Sequence, residues 1–157
     1  MYEATTAGFT VTVVPEYLTQ QSDEETGFYL YSYKIDIRNQ SGRSARLIRR
    51  WWIIRDGKGV EEVVEGNGVI GQQPLIAHGG SFSYTSGCPL NTPTGNMRGH
   101  YVMQPDHGST FTIRVPLFFL RPTQPRPSGT RIIRHKYGRG SQRFRSIFPG
   151  RNKARET

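Results

Sequence analysis

Residues 28–39 read FYLYSYKIDIRN, and the apolar side chains fall on every second position. Tyr29, Tyr31, Tyr33, Ile35 and Ile37 share one side, while Lys34, Asp36 and Arg38 share the other. A period of two is the spacing of a strand with one buried face. FTVTVVPEY at 9–17 repeats it, with Phe9, Val11 and Val13 together. LIRRWWIIRD at 47–56 is strand-like through its aromatic and β-branched content, and D-G-K-G at 56–59 turns it back onto VEEVVEG as a hairpin. Shorter strands are expected at SFSYTSG (81–87) and HYVMQ (100–104). TFTIRVPLFFL at 110–120 closes the series, with Phe111, Ile113, Val115, Leu117 and Phe119 expected on one face.

Turn signals separate these runs: S-G-R at 41–43, H-G-G at 78–80, T-P-T-G at 92–95 and D-H-G at 106–108. No window carries a helical stripe. About seven short strands punctuated by glycine and proline predict an all-β fold, an antiparallel β-sandwich ahead of a barrel. The pattern stops at Leu120. Beyond it the chain reads RPTQPRPSGTRIIRHKYGRGSQRFRSIFPGRNKARET, with no sustained period. The expected organisation is a sandwich domain at 1–120 and a disordered, basic tail at 121–157.

Charge sharpens that division. Residues 1–120 hold 10 Lys and Arg against 11 Asp and Glu, whereas 121–157 hold 11 basic residues against Glu156 alone. The net charge of +9 therefore belongs to the tail, and it says little about what the domain binds. The longest apolar runs, such as VPLFFL at 115–120, are far short of the roughly 18 residues that cross a bilayer. The first residues lack the charged and apolar regions of a secretory signal, so a cytoplasmic location is expected. Cys88 is the single cysteine, which rules out an internal disulfide or a multi-cysteine metal site.

Within EGNGVIGQQP at 65–74, Gly66, Gly68 and Gly71 spell G-x-G-x-x-G. In a dinucleotide-binding turn this spacing follows a strand and opens a helix, with an acid about 20 residues on for the ribose. Here Pro74 and Gly79–Gly80 would interrupt such a helix, and no Asp or Glu occurs between Glu65 and Asp106. Two readings remain. The glycines give the chain positive φ at a strand end or a bulge where Val69 and Ile70 turn inward. Alternatively Gly66, Asn67, Gly68 and Gly71 form a phosphate-binding nest of backbone N–H groups, with Arg49, Arg50 or Arg98 as countercharge.

Taken together, L-I-x-R-x-W-x-I-x-D-x-x-G at 47–59, E-V-V-E-G-N-G-V-I-G-Q-Q-P at 62–74, F-x-Y-T-S-G at 82–87, L-N-T-P-T-G-N-M-R-G-H-Y at 90–101 and F-T-I-R-V-P-L-F-F-L at 111–120 resemble the ApaG family, also called CorD. The resemblance runs from about Tyr2 to Leu120. It implies a fibronectin type III-like β-sandwich and an association with cobalt resistance and magnesium efflux, in a family for which no enzymatic activity is established. Related eukaryotic domains imply a role in binding other proteins. Trp51 departs from the polar residue usual in that family, and His78–Gly79 from a Pro-Gly pair.

Candidates for catalysis are His78, His100, His107, Asp56, Asp106 and Cys88. Asp56 opens the D-G-K-G turn, His107 lies in another turn, and no Ser-His-Asp order or paired carboxylates appear. An enzyme is not expected. No H-x-H, H-x-x-x-H or D-x-D spacing offers a metal site, and no cofactor is expected. In the tail, Arg131, Arg134, Lys136, Arg139, Arg143 and Arg145 alternate with Ile133, Tyr137 and Phe144, the mix of cations and rings that flexible nucleic-acid-binding segments use. The reading that emerges is a non-catalytic module binding another protein through loops or a strand edge. The alternatives are a phosphate-bearing ligand, such as pyrophosphate or diadenosine tetraphosphate, at Gly66–Gly71, and weak, non-specific nucleic-acid binding through the tail.

Overall fold

The computed structural model describes residues 1–122. Among them are nine strands: β1 (Tyr2–Thr6), β2 (Phe9–Tyr17), β3 (Tyr29–Asn39), β4 (Ala45–Asp56), β5 (Glu61–Asn67), β6 (Leu75–Ile76), β7 (Ser81–Leu90), β8 (Gly95–Pro105) and β9 (Phe111–Leu120). The described residues include no α-helix, and none long and apolar enough to cross a membrane. The strands form two antiparallel sheets, β1-β2-β3-β7 and β5-β4-β8-β9, with the two-residue β6 paired to the start of β4. Packed face to face, they make a fibronectin type III-like sandwich. The expected alternation built seven of these strands. The other two, β1 and β6, are short and carry no clear period.

Between the sheets the core holds the residues that alternation assigned inward on β2 and β3. Phe9, Val11, Val13, Tyr31, Ile35 and Ile37 are fully buried. Tyr33 reaches across to the other sheet, its ring 5.5 Å from Trp52 and 5.7 Å from Phe118. Trp52 meets Tyr101 and Phe118 edge to face, at 6.1 Å each. These contacts join both sheets through one aromatic cluster. At one end of the sandwich Asn39, also fully buried, donates through Nδ2 to the carbonyls of Arg43 (2.7 Å) and Ile76 (2.9 Å). Its Oδ1 accepts from Ser41, so every polar atom of this buried side chain is satisfied.

Two β-bulges change which residues face inward on the five-stranded sheet. On β4, Leu47 pairs with Met103 and Arg49 with Val102, so Ile48 is the extra residue. Because the side-chain period is two, one inserted residue exchanges the faces. Arg50, Trp52 and Ile54 therefore take the inner face, and Trp51 and Ile53 the outer. On β9 the register slips between Val115 and Phe118, which oppose Gly99 and Met97. Phe111, Ile113 and Val115 face inward, but beyond the bulge Phe118 and Leu120 do so instead. Leu117 and Phe119, expected on the buried face, are 46% and 38% exposed. The inserted residue is what alternation alone cannot register.

The two sides of the sandwich differ. Where β1 meets β9, the Arg114 backbone N–H donates to Thr6 Oγ1 at 3.1 Å and ties the sheets together. Where β5 and β7 end their sheets, no strand among the described residues bridges them. The glycine loop sits on that open side.

Candidate functional site

β5 pairs with β4 so that Gly66 lies opposite Arg50 and Asn67 opposite Arg49. With the Ile48 bulge turning Arg50 inward, its guanidinium curls under the end of β5 and donates from Nη1 to the carbonyls of Asn67 (3.0 Å) and Gly68 (2.9 Å). A Cβ at Gly66 would lie 3.0 Å from both Nη atoms, so glycine lets the guanidinium lie close against the backbone. Gly68, at φ 62°, passes so near the next turn that a Cβ there would sit 2.0 Å from the Gln72 carbonyl oxygen. Val69 and Gln72 then exchange two backbone hydrogen bonds, 2.8 and 2.9 Å, around Ile70 and Gly71, whose φ of 43° and 76° make a two-residue type I′ turn.

In this arrangement the loop presents carbonyls to a cation. The Gly68 amide donates to Ile48 O (2.8 Å) and the Val69 amide to Gln72 O. An anion nest needs successive N–H groups aimed at one centre. Here Gly66 and Asn67 belong to the β4–β5 ladder, the Gly68 amide is engaged, and Gly71 is exposed at the turn's tip. Of the three arginines weighed as countercharge, Arg50 is the one bonded to the loop. Arg49 pairs with Glu65 at 3.9 Å, and Arg98 with Glu61 at 3.8 Å on the outer face.

Arg50 also lines a small cleft of about 30 Å³ on the open side, with Trp52, Val69, Ile70, Tyr84 and Ser86 around it. That is room for one or two water molecules. Nearby, Tyr84 and Tyr101 share a hydroxyl–hydroxyl hydrogen bond of 2.5 Å. Burial, the main cause in both, holds these phenols well above the usual tyrosine range, and the charge of Arg50 pulls the other way by less. Both stay protonated at neutral pH. Ile70 adopts a φ that β-branched residues rarely take, which places its side chain against the core at the cleft.

The other sequence candidates are dispersed. Asp56 Oδ1 accepts from the amides of Lys58 (2.8 Å) and Val60 (3.0 Å), the work of a turn residue. His78 Nδ1 accepts from the Gly42 amide at 3.0 Å and so joins two loops. Asp106 and His107 are exposed in the β8–β9 loop, and Cys88 is buried. Among the described residues no three His, Cys, Asp or Glu side chains gather as a metal site would require. Arg131, Arg134, Lys136, Arg139, Arg143 and Arg145 lie outside the described residues.

His100 does join a larger feature that sequence reasoning missed. On the outer face of the five-stranded sheet its imidazole stacks on Trp51, centroids 5.0 Å apart and planes 25° from parallel. The pair sits in an open groove of about 740 Å³ between β1 and the outer face, with Arg98, Arg114, Leu117 and Thr6 also lining it. These residues come from four strands, β1, β4, β8 and β9. Only the cross-strand register, Trp51 opposite His100 and His100 opposite Arg114, brings them together. The one signal in the chain was the doubled tryptophan, which a strand cannot bury on both faces.

The sheet ends also differ in charge. β1 carries Glu3, β5 carries Glu61, Glu62 and Glu65, and β9 carries Arg114, whereas β7 has no charged residue over its ten positions.

Comparison with known proteins places this geometry. The family model for the ApaG domain matches residues 19–105. A Protein ApaG from Rhizobium meliloti (strain 1021) is 48% identical over 120 residues, covering 76% of this chain and 92% of that protein. One from Allorhizobium ampelinum is 49% identical over the same shares. Among solved structures, the crystal structure of an ApaA protein from Bordetella pertussis superposes with a TM-score of 0.72 at 43% identity, covering 74% of this chain and 95% of that one.

Proposed function

The chain belongs to the ApaG family, and from that premise we propose that it is a non-catalytic binding module that engages another protein in the cytoplasm by strand addition at β7. What supports the reading is an edge without charge, blunted only by Pro89 near its end. Sheet edges are ordinarily protected by charged residues, since their free backbone groups invite another strand. β1, β5 and β9 follow that rule and β7 does not. Strand addition gains its affinity from backbone hydrogen bonds and its selectivity from side-chain pockets beside the edge. The cleft of Arg50, Ile70 and Tyr84 adjoins β7, with room beside the edge for no more than a small side chain. The association with cobalt resistance and magnesium efflux that family resemblance implies is then exercised through the partner.

A photo-crosslinking amino acid at Thr85, exposed on β7, tests this in cells, with the same group at Thr12 on the outer face of β2 as control. The expected result is a discrete adduct from Thr85 that Ser81→Lys strongly reduces by charging the edge. Equal labelling from both positions, or an adduct indifferent to the added lysine, would sink it.

A second reading is a phosphate-bearing ligand near Gly66, Asn67, Gly68 and Gly71, and the observation favouring it is the cation that Arg50 brings to that loop. NMR titration of the full chain with pyrophosphate, ATP and diadenosine tetraphosphate decides it. Saturable shifts of those four amides support a site there, and none at millimolar ligand removes it.

A further inference from the structure

The groove on the outer face of the five-stranded sheet is a second and chemically different surface. Its floor is the Trp51–His100 stack, and two guanidinium groups, of Arg98 and Arg114, stand beside the rings. Arg98 shares Glu61 with Arg55, at 3.8 Å from each. Arg114 has no carboxylate partner among the described residues. The same face also carries Arg49 and Arg55 against Glu61 and Glu65, while Glu62 alternates to the other face of β5 and Asp56 belongs to the β4–β5 turn, so its balance is positive although residues 1–120 are close to neutral.

A ring platform flanked by Arg114, which has no carboxylate partner among the described residues, by Arg98, which shares one carboxylate with Arg55, and by hydroxyls suits a ligand that is planar and anionic at repeating intervals. The outer face beyond the groove adds to this. β9 leaves the sheet at Leu120, and Arg121 lays its guanidinium over the outer-face ring of Phe119 at 4.7 Å. From Arg121 onward the chain carries 11 basic residues against one acid. A long polyanion has those further basic residues of the same chain to pair with, an advantage a short acidic peptide would not exploit. That charge also excludes the chain's own basic tail as the occupant.

We propose that the groove binds single-stranded nucleic acid, with a base continuing the Trp51–His100 stack and the backbone phosphates on Arg98 and Arg114. Stacking and phosphate contacts of this kind bind strands without reading sequence. The proposal stands apart from strand addition at β7, which lies on the other sheet.

The test is fluorescence anisotropy of a labelled twelve-nucleotide oligo(dT) with the full chain, from roughly 50 to 200 mM salt, where phosphate contacts are strongly felt. Trp51→Ala and the double variant Arg98→Ala/Arg114→Ala should each weaken binding roughly tenfold or more at low salt, while Trp51→Phe keeps most of the affinity. Removing two phosphate contacts should also flatten the slope of log K against log salt by about 1.4. All of these side chains are at least partly exposed, and thermal melting checks that the variants fold. Several results would overturn the proposal. They are no binding at low salt, equal affinity for blunt duplex DNA, equal and groove-dependent affinity for polyglutamate, or binding indifferent to the groove variants. The last, paired with loss when Arg131, Arg134, Lys136, Arg139, Arg143 and Arg145 are all changed to Gln, would put the site on the tail alone.

Discussion

Trp51 and Trp52 are neighbours in sequence and face opposite worlds. Trp52 lies on the inner face of the five-stranded sheet, 2% exposed and in edge-to-face contact with three aromatic rings. Trp51 lies on the outer face, half-buried, touching one imidazole at the floor of a groove. The inner face is a closed core. The outer face keeps apolar surface that the core does not need, Val63, Leu117 and Phe119 among arginines. The outer face of the other sheet shows what a face turned only to water looks like. Its positions include Thr10, Thr12, Lys34, Asp36, Arg38 and Ser83, with Ser83 donating to Asp36 at 2.6 Å and Val14 the one large apolar side chain exposed on its strands. Apolar side chains left outside in one place mark that place for contact with something else.

The sharpest way to break the comparison is to truncate each tryptophan in turn. Trp52→Ala removes the centre of the aromatic cluster and should lower unfolding free energy by about 3–5 kcal/mol. Trp51→Ala loses one stacked ring at the surface and should cost about 1 kcal/mol or less. Urea unfolding followed by circular dichroism measures both, and similar losses would mean that the outer face is structural.

Arg50 is the exception on the inner face, a cation that the Ile48 bulge turns inward. Arg50→Ala strips the donor from two loop carbonyls and should cost about 1–3 kcal/mol. The loss should come with shifts of the Gly66 to Gly71 amides in an NMR spectrum. A change confined to the outer face would show that the loop does not depend on its guanidinium.

The smallest expected effect concerns the Tyr84–Tyr101 pair, the polar element of the inner face. Folding raises both phenols above the ordinary tyrosine value of 10.0, so the native state holds its protons where the unfolded chain releases them. Stability is therefore fully present below pH 10 and is lost as pH rises beyond it. The slope is about 1.4 kcal/mol per pH unit for each group. Tyr84→Phe should make that alkaline decline shallower, and an unchanged slope would assign it to other groups.

Much of this molecule is legible along the chain. Phe9–Tyr17 and Tyr29–Asn39 follow from alternation alone, Asp56 and its glycines announce the β4–β5 hairpin, and the spaced blocks between 47 and 120 carry the family. A period of two is a local property, and it survives wherever strands pair without interruption. What alternation cannot carry is the effect of one added residue. The bulge at Ile48 depends on how β4 lies against β8, and the slip after Val115 on how β9 lies against the same strand. Each exchanges the faces of every residue that follows, sending Arg50 inward and Leu117 and Phe119 outward. The G-x-G-x-x-G spacing is likewise silent about its use until the turn at 69–72 and the guanidinium of Arg50 fill the space around it. The groove, built from single residues of four strands, exists only in the register between them. Sequence determines which segments become strands, because that is decided by neighbours one and two positions away. Tertiary structure decides which face each side chain shows and which distant side chains meet, because those are set by hydrogen bonds between strands that lie far apart in the chain.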